Sequence, residues 1–331
     1  MSDLRYDAGW QYHGVRVVRL ENARLLIDVM PDLGGRILRW IDKRRDCDWL
    51  WQHPRIAPAV LPAGSDYDAN FSGGWDELFP CCTACVHGGE VYPDHGEYWT
   101  RPCAWEVLEG DRELTLHLRA EGTVTPTRME RRITLAAGSP AVRIRYRIEH
   151  LGRHPFDYLW ATHPALAVRP GDRLILPAGA GRVASPGMGR MPAGAADFIW
   201  PTVTGDDGRP VDLSRIPQAC GGPGYEMVYL TELHAGWYAL LRPGDRCGFG
   251  LAFDRGVFRC LWLFVSLGGW RGLHLAIVEP ATGHPVDLAE AAGAGTCSRM
   301  QPGEVLETAI TAVVFDDREA VGGISPDGSV S

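Results

Sequence analysis

The stretch Ala141-Val142-Arg143-Ile144-Arg145-Tyr146-Arg147-Ile148-Glu149 decides the fold class. Val142, Ile144, Tyr146 and Ile148 alternate with Arg143, Arg145, Arg147 and Glu149. A period of two puts the apolar set on one face of a strand and the charged set on the other. One dry face and one wet face is the pattern of an antiparallel sheet. Working outward, similar short β-rich runs recur at residues 15–20, 25–29, 114–119, 131–135, 237–241, 249–253, 260–265, 273–278 and 309–315. Turn signals separate them: Gly34-Gly35, Gly138-Ser139-Pro140, Pro243-Gly244-Asp245 and Pro302-Gly303-Glu304. Helical periodicity is confined to residues 288–294. Many short strands without alternating helices predict an all-β, antiparallel sandwich in one domain over residues 1–316, followed by a flexible Gly/Ser/Asp-rich tail at 317–331. Two Gly/Pro-rich segments, 57–80 and 177–224, are long for connections and are expected to carry a site or cover a sheet edge.

The 331 residues are 45% hydrophobic and 22% charged, enough for a large core and unlike a disordered chain. A formal net charge of −8 counts against nucleic acid as a partner. No apolar run reaches the roughly 18 residues that span a bilayer, so no membrane partner is expected. The start carries Asp3, Arg5 and Asp7 and lacks the apolar stretch of a secretory signal. Nine cysteines, an odd number dispersed through a long chain, fit reduced thiols. Together these features predict a soluble cytoplasmic protein, monomer or homodimer. Lys43, the single lysine, lies in the charged stretch 42–46, which argues against Schiff-base chemistry and a Walker-type phosphate loop. The sequence has no GxSxG, GxGxxG or HExxH motif and no EF-hand loop.

Several residues have the right type and context for chemistry. Twelve tryptophans are many for this length, and Trp75, in Gly73-Gly74-Trp75-Asp76-Glu77, adjoins two acids. An indole offers an apolar face to the C–H side of a sugar ring while carboxylates and imidazoles bond its hydroxyls; alternatively, a tryptophan simply fills a core. His95, in Pro93-Asp94-His95-Gly96-Glu97, belongs at a turn, where an imidazole reaches a ligand or merely meets water. His163 ends the apolar run Tyr158-Leu159-Trp160-Ala161-Thr162, with Pro164 next. That order places it at a sheet rim or, otherwise, bonded to backbone in the core. Glu279 follows the hydrophobic strand 273–278, where partial desolvation would raise its pKa and make it a usable base, unless it pairs with an arginine. Cys81-Cys82-Thr83-Ala84-Cys85 with His87 has the spacing of half a zinc site, but no second ligand pair occurs, so buried thiols are expected and no metal.

In order and spacing these residues resemble the aldose 1-epimerase (galactose mutarotase-like) superfamily over residues 15–315. The similar pieces are Pro31-Asp32-Leu33-Gly34-Gly35-Arg36, His95-Gly96 before Trp105-Glu106-Val107, His163-Pro164, Asp254 ahead of the strand around Trp262, Glu279-Pro280 followed by Gly283, and Pro302-Gly303-Glu304. The resemblance implies an antiparallel β-supersandwich and interconversion of the anomers of an aldose, with no cofactor. It implies His163 as general acid on the ring oxygen, Glu279 as general base on the anomeric hydroxyl, and His95 bonding a neighbouring oxygen. Trp75, Asp76, Glu97, Asp254, Trp262 and Arg36 are the expected substrate-binding residues. The early Asn-Arg pair of galactose mutarotases is replaced here by Asn70-Phe71-Ser72. Phosphate-accepting relatives place an arginine soon after the His-Gly, whereas here Glu97-Tyr98-Trp99 intervenes before Arg101; Glu97 would repel a phosphate and favours an unphosphorylated sugar. A non-catalytic sugar binder of the same fold, an epimerase of phosphorylated or acidic sugars, and a domain of a polysaccharide-processing enzyme are the alternatives.

Overall fold

The computed structural model describes residues 3–194, 196–218 and 223–331. Two large antiparallel sheets form its framework, one of fourteen strands and one of eight among the described residues. Ala141–His150 lies inside the smaller sheet, between Thr127–Ala136 and Val305–Asp316. Ile144 opposes Ile133 on one side and Ile310 on the other, and all three are fully buried. Arg143 and Arg145 point outward to solvent, so the alternation behaves as its period demands. All ten β-rich runs named from sequence are strands; the structure lengthens several by one to four residues at an end. The helical run is Leu288–Gly293, capped by Asp287, whose side chain accepts from the Glu290 amide at 2.9 Å.

In the middle of the larger sheet, neighbours run in the order Arg36–Asp42, Trp75–Leu78, Ala161–Leu166, His274–Ala281, Cys260–Leu267, Glu226–Leu230. These strands read as nearly continuous apolar runs because both faces are covered. Leu261, Leu263, Val265, Ala276 and Val278 face the second sheet and join the main core. On the opposite face Cys260, Trp262 and Ala281 pack with Leu288 and Ala291 of the helix, while Leu275 and Ile277 pack with Tyr67, Phe71 and Trp99. Alternation here separates two apolar surroundings rather than core from water.

The segment 57–80 supplies a one-turn helix, Tyr67–Asn70, and the strand Trp75–Leu78. The described part of 177–224 adds short strands that extend the larger sheet at its edge. The tail corrects the expectation of a flexible end. Val321 and Ile324 are buried against Trp237, Ala252, Val313 and Phe315, and Thr311 donates to the Pro326 carbonyl at 2.6 Å. Val321 and Ile324, with half-buried Val330 bridged to Ile324, seat 317–331 on the outer face of the smaller sheet. No described helix is long and apolar enough to cross a membrane.

Candidate active site

Register brings the chemistry together. Ala161 opposes Ala281 and Ala165 opposes Ile277, which sets His163 opposite Glu279 on adjacent strands. Asp76 opposes His163 on the next strand, Trp262 opposes Glu279 on the other side, and Tyr229 opposes Trp262 beyond it. Directly opposed residues share a face. Asp76, His163, Glu279, Trp262 and Tyr229 therefore form one row across five strands. His163, Glu279 and Trp262 line a cleft of about 280 Å³ with Tyr67, Phe71, His95, Tyr225, Phe264 and Trp270 among its walls.

Tyr67 links the row to its surroundings. Asp66 caps its short helix by accepting from the Ala69 amide at 2.8 Å. The Tyr67 hydroxyl donates to Asp76 Oδ2 at 3.0 Å and lies 3.2 Å from His163 Nδ1. Asp76 Oδ1 accepts from Arg36 Nε at 2.8 Å, and Arg36 Nη1 donates to Ser72 Oγ at 2.5 Å. His95 stacks flat on the Tyr67 ring, centroids 3.8 Å apart and planes 8° from parallel. A left-handed turn makes this possible: φ is 58° at His95 and 75° at Gly96, and any Cβ at Gly96 would collide with the Phe79 backbone. His95 Nδ1 lies 2.9 Å from Asp94 Oδ1.

His163 and Glu279 are both buried, with 5% and 4% of their surface exposed, and burial shifts them in opposite senses. Desolvation, with lesser repulsion from His95 and Arg36, holds the His163 imidazole well below its ordinary pKa. Desolvation alone pushes the Glu279 carboxyl well above the usual range. Among the described residues the Glu279 carboxylate has no hydrogen-bond or ion-pair partner, so the arginine pairing left open by the sequence is absent there. An acid–base pair at opposed positions, in an apolar aromatic cleft, is equipped for proton transfer to and from a small bound molecule.

The other expected binding residues divide. Trp262 lines the cleft and donates its indole N–H to the Gly283 carbonyl at 2.9 Å. Arg36 and Asp76 stand one step behind it, acting through Tyr67. Trp75 is not a ligand wall: it neighbours Asp76 on one strand, so it points the opposite way, fully buried beside Trp40 and bonded to Thr162. Glu97 is a loop anchor, its carboxylate accepting from the Val124 amide at 2.7 Å and the Thr125 amide at 3.0 Å. The argument it offered against phosphate lapses with that placement. Asp254 lies at an exposed turn, accepting from the Gly256 amide at 2.7 Å, away from the cleft. Cys81, Cys82 and Cys85 are free thiols, and among the described residues no group of His, Cys, Asp and Glu is arranged to hold a metal. Sequence reasoning missed Tyr67, Phe71, Tyr225 and Phe264. The only signal for the first two was the unusual length of 57–80.

No family profile matches the sequence, and no curated protein matches it. Solved structures do. A candidate aldose 1-epimerase from Klebsiella pneumoniae is 13% identical, with a TM-score of 0.73 over 95% of this chain and 83% of that one. The Slr1438 protein of Synechocystis is 18% identical, with a TM-score of 0.67 over 95% and 100%. A galactose mutarotase-like protein from Lactobacillus casei is 16% identical, with a TM-score of 0.60 over 90% and 100%. The chain thus has the galactose mutarotase-like fold, the all-β supersandwich expected from the sequence.

Proposed function

We propose that the protein is an aldose 1-epimerase that interconverts the α and β anomers of a free aldose. The observation that carries this reading is the register that sets His163 opposite Glu279 at the floor of the cleft. Anomer exchange needs a proton delivered to the ring oxygen as another leaves the anomeric hydroxyl; rotation of the aldehyde and the reverse transfers then close the other anomer. One acid and one base complete the cycle. His163 and Glu279 are those groups, and His95 bonds a neighbouring hydroxyl. Trp262 and the aromatic walls offer faces to the C–H side of the ring. No arginine or lysine lines the cleft among the described residues, and Arg271, which lies over the Trp270 ring, is paired with Asp68 at 3.8 Å, which favours an unphosphorylated sugar.

The test is exchange NMR on a panel of equilibrated aldoses, following magnetisation between α and β anomeric protons. The expected result is acceleration on at least one sugar by the wild type and its loss in Glu279→Gln. Broadened anomeric lines without exchange would replace the enzyme by a sugar-binding protein of the same fold.

A further inference from the structure

On the outer face of the smaller sheet, register lays the charged side chains out in rows. One row runs Arg119, Glu130, Arg147, Glu307, each opposed to the next on the neighbouring strand. Signs alternate there and the charges pair: Arg147 Nε lies 3.6 Å from Glu307, and its Nη1 lies 2.7 Å from Glu149 and 3.9 Å from Glu130. Two residues along the strands, the next row is His117, Arg132, Arg145, Ala309, and the one after it is Thr115, Thr134, Arg143, Thr311. Arg132 thus stands directly opposite Arg145, with Arg143 on its diagonal. Like charges in opposed positions repel and cost stability.

Arg132, Arg143 and Arg145 are exposed, and none has an ion pair or a hydrogen bond among the described residues. The acids nearest to them are engaged elsewhere. Glu130 is shared by His117, at 3.1 Å, and Arg147; Glu307 serves Arg147; Asp327 accepts from the Ser329 amide at 3.0 Å. The surface is concave at this point. Hollows of about 730, 550 and 390 Å³ all reach Arg143, and the two smaller ones share Arg132 and Arg145 as well. The C-terminal tail walls the two larger hollows with Pro326, held in place by the bond from Thr311 to its carbonyl. The chain has 41 acidic residues against 33 basic ones, so acids were not in short supply for these positions. Three unanswered guanidinium groups in a hollow of such a chain draw anions to that spot.

We propose that this face of the smaller sheet binds a small molecule carrying a diphosphate group, with Arg132, Arg143 and Arg145 as its ligands. A guanidinium is a planar fork that takes phosphate oxygens in pairs. Three forks present more paired donors than the three free oxygens of one phosphoryl group accept, and match two adjoining phosphoryl groups. A long polyanion fits less well, because it would meet Glu130 and Glu307 on one side of the triad and Glu109 and Glu113 on the other. The acid–base cleft opens on the outer face of the larger sheet, so a diphosphate here and a ligand there do not compete for room.

The experiment is calorimetric titration of the full-length protein with inorganic pyrophosphate, and separately with inorganic phosphate, at neutral pH and low salt. The expected result is saturable binding of pyrophosphate, about tenfold or more tighter than that of phosphate and weakening as salt is added. Arg132→Gln and Arg145→Gln should each weaken it by about tenfold or more. Both substitutions relieve the opposed charges, so thermal melting without ligand should show them at least as stable as the wild type, and a loss of binding is then not a loss of fold. Arg147→Gln, from the row whose charges are paired, should keep the affinity within about twofold. Three results would overturn the proposal: no saturable binding, pyrophosphate held no tighter than phosphate, or a loss in Arg147→Gln equal to that in Arg145→Gln, which would reduce the attraction to diffuse surface charge.

Discussion

Glu77 and Glu279 are two glutamates buried to the same degree on one sheet, on opposite faces. Glu77 faces the inter-sheet core, where every oxygen is used: Tyr146 donates to Oε1 at 2.7 Å, the Trp160 indole to Oε2 at 2.9 Å, and Arg131 approaches Oε1 at 3.3 Å. Arg131 also holds the carbonyls of Gly34 and Gly35 at 2.6 and 2.5 Å, tying down the turn that leads into Arg36. Glu279 faces the cleft and has none of this. A buried carboxylate with a complete set of partners is part of the framework; one that lines a cleft without protein partners is kept at a cost in stability, which is the mark of a group awaiting a ligand.

The sharpest way to break the comparison is to treat both residues alike. Glu77→Gln strands the Arg131 charge in the core and should destabilise the fold by about 3–5 kcal/mol, read from urea denaturation midpoints. Glu279→Gln should leave stability unchanged or raise it, while anomer exchange falls about 10²- to 10⁴-fold. If Glu279→Gln unfolds the protein as Glu77→Gln does, the two residues are framework alike and the cleft loses its acid–base pair.

The next effect is the pH dependence of stability. Glu279 has its folded pKa raised, so its contribution is intact below the ordinary carboxyl range and is lost as pH rises from there through the folded value. His163 has its folded pKa lowered, so its contribution is intact above the ordinary imidazole value and is lost as pH falls towards the folded one. Wild type and Glu279→Gln should therefore be equally stable near pH 4 and diverge in favour of the variant towards pH 8. Parallel curves over that range would mean that Glu279 ionises in the fold as it does in water.

The framework was legible because period-two alternation survives wherever one sheet face is wet, as in Ala141–His150. His163 and Glu279 were legible as polar residues that interrupt apolar runs, but the structure places both inside central strands, Ala161–Leu166 and His274–Ala281, rather than at a sheet rim. What failed was side and distance. Trp75 and Asp76 were both expected to touch substrate, yet consecutive residues of a strand point to opposite faces, so at most one could. Glu97 reads as a free acid in sequence because the backbone amides it accepts from, at Val124 and Thr125, are 27 and 28 residues away. Tyr67 lies in an aperiodic segment where no pattern reports which way a side chain turns. In the tail, Val321 and Ile324 are too few to outweigh their Gly, Ser and Asp neighbours in a composition-based reading, but enough to pack.

The smallest expected effect separates the cleft from a larger hollow on the other sheet. That hollow, about 730 Å³ against 280 Å³, is lined by Arg143, His234, Asp254, Arg255 and Thr308 among others, and size alone would make it the ligand site. Its acid, Asp254, is exposed and already occupied by a backbone amide of its own turn, so it lacks the desolvation that makes a carboxyl reactive. Asn at this position can still accept that amide, and Asp254→Asn should change neither stability by more than about 0.5 kcal/mol nor the anomer exchange rate. A tenfold loss of exchange in this variant, with Glu279→Gln unaffected, would move the chemistry to the larger hollow and show that volume, rather than an unpartnered buried carboxyl, identifies the site in this fold.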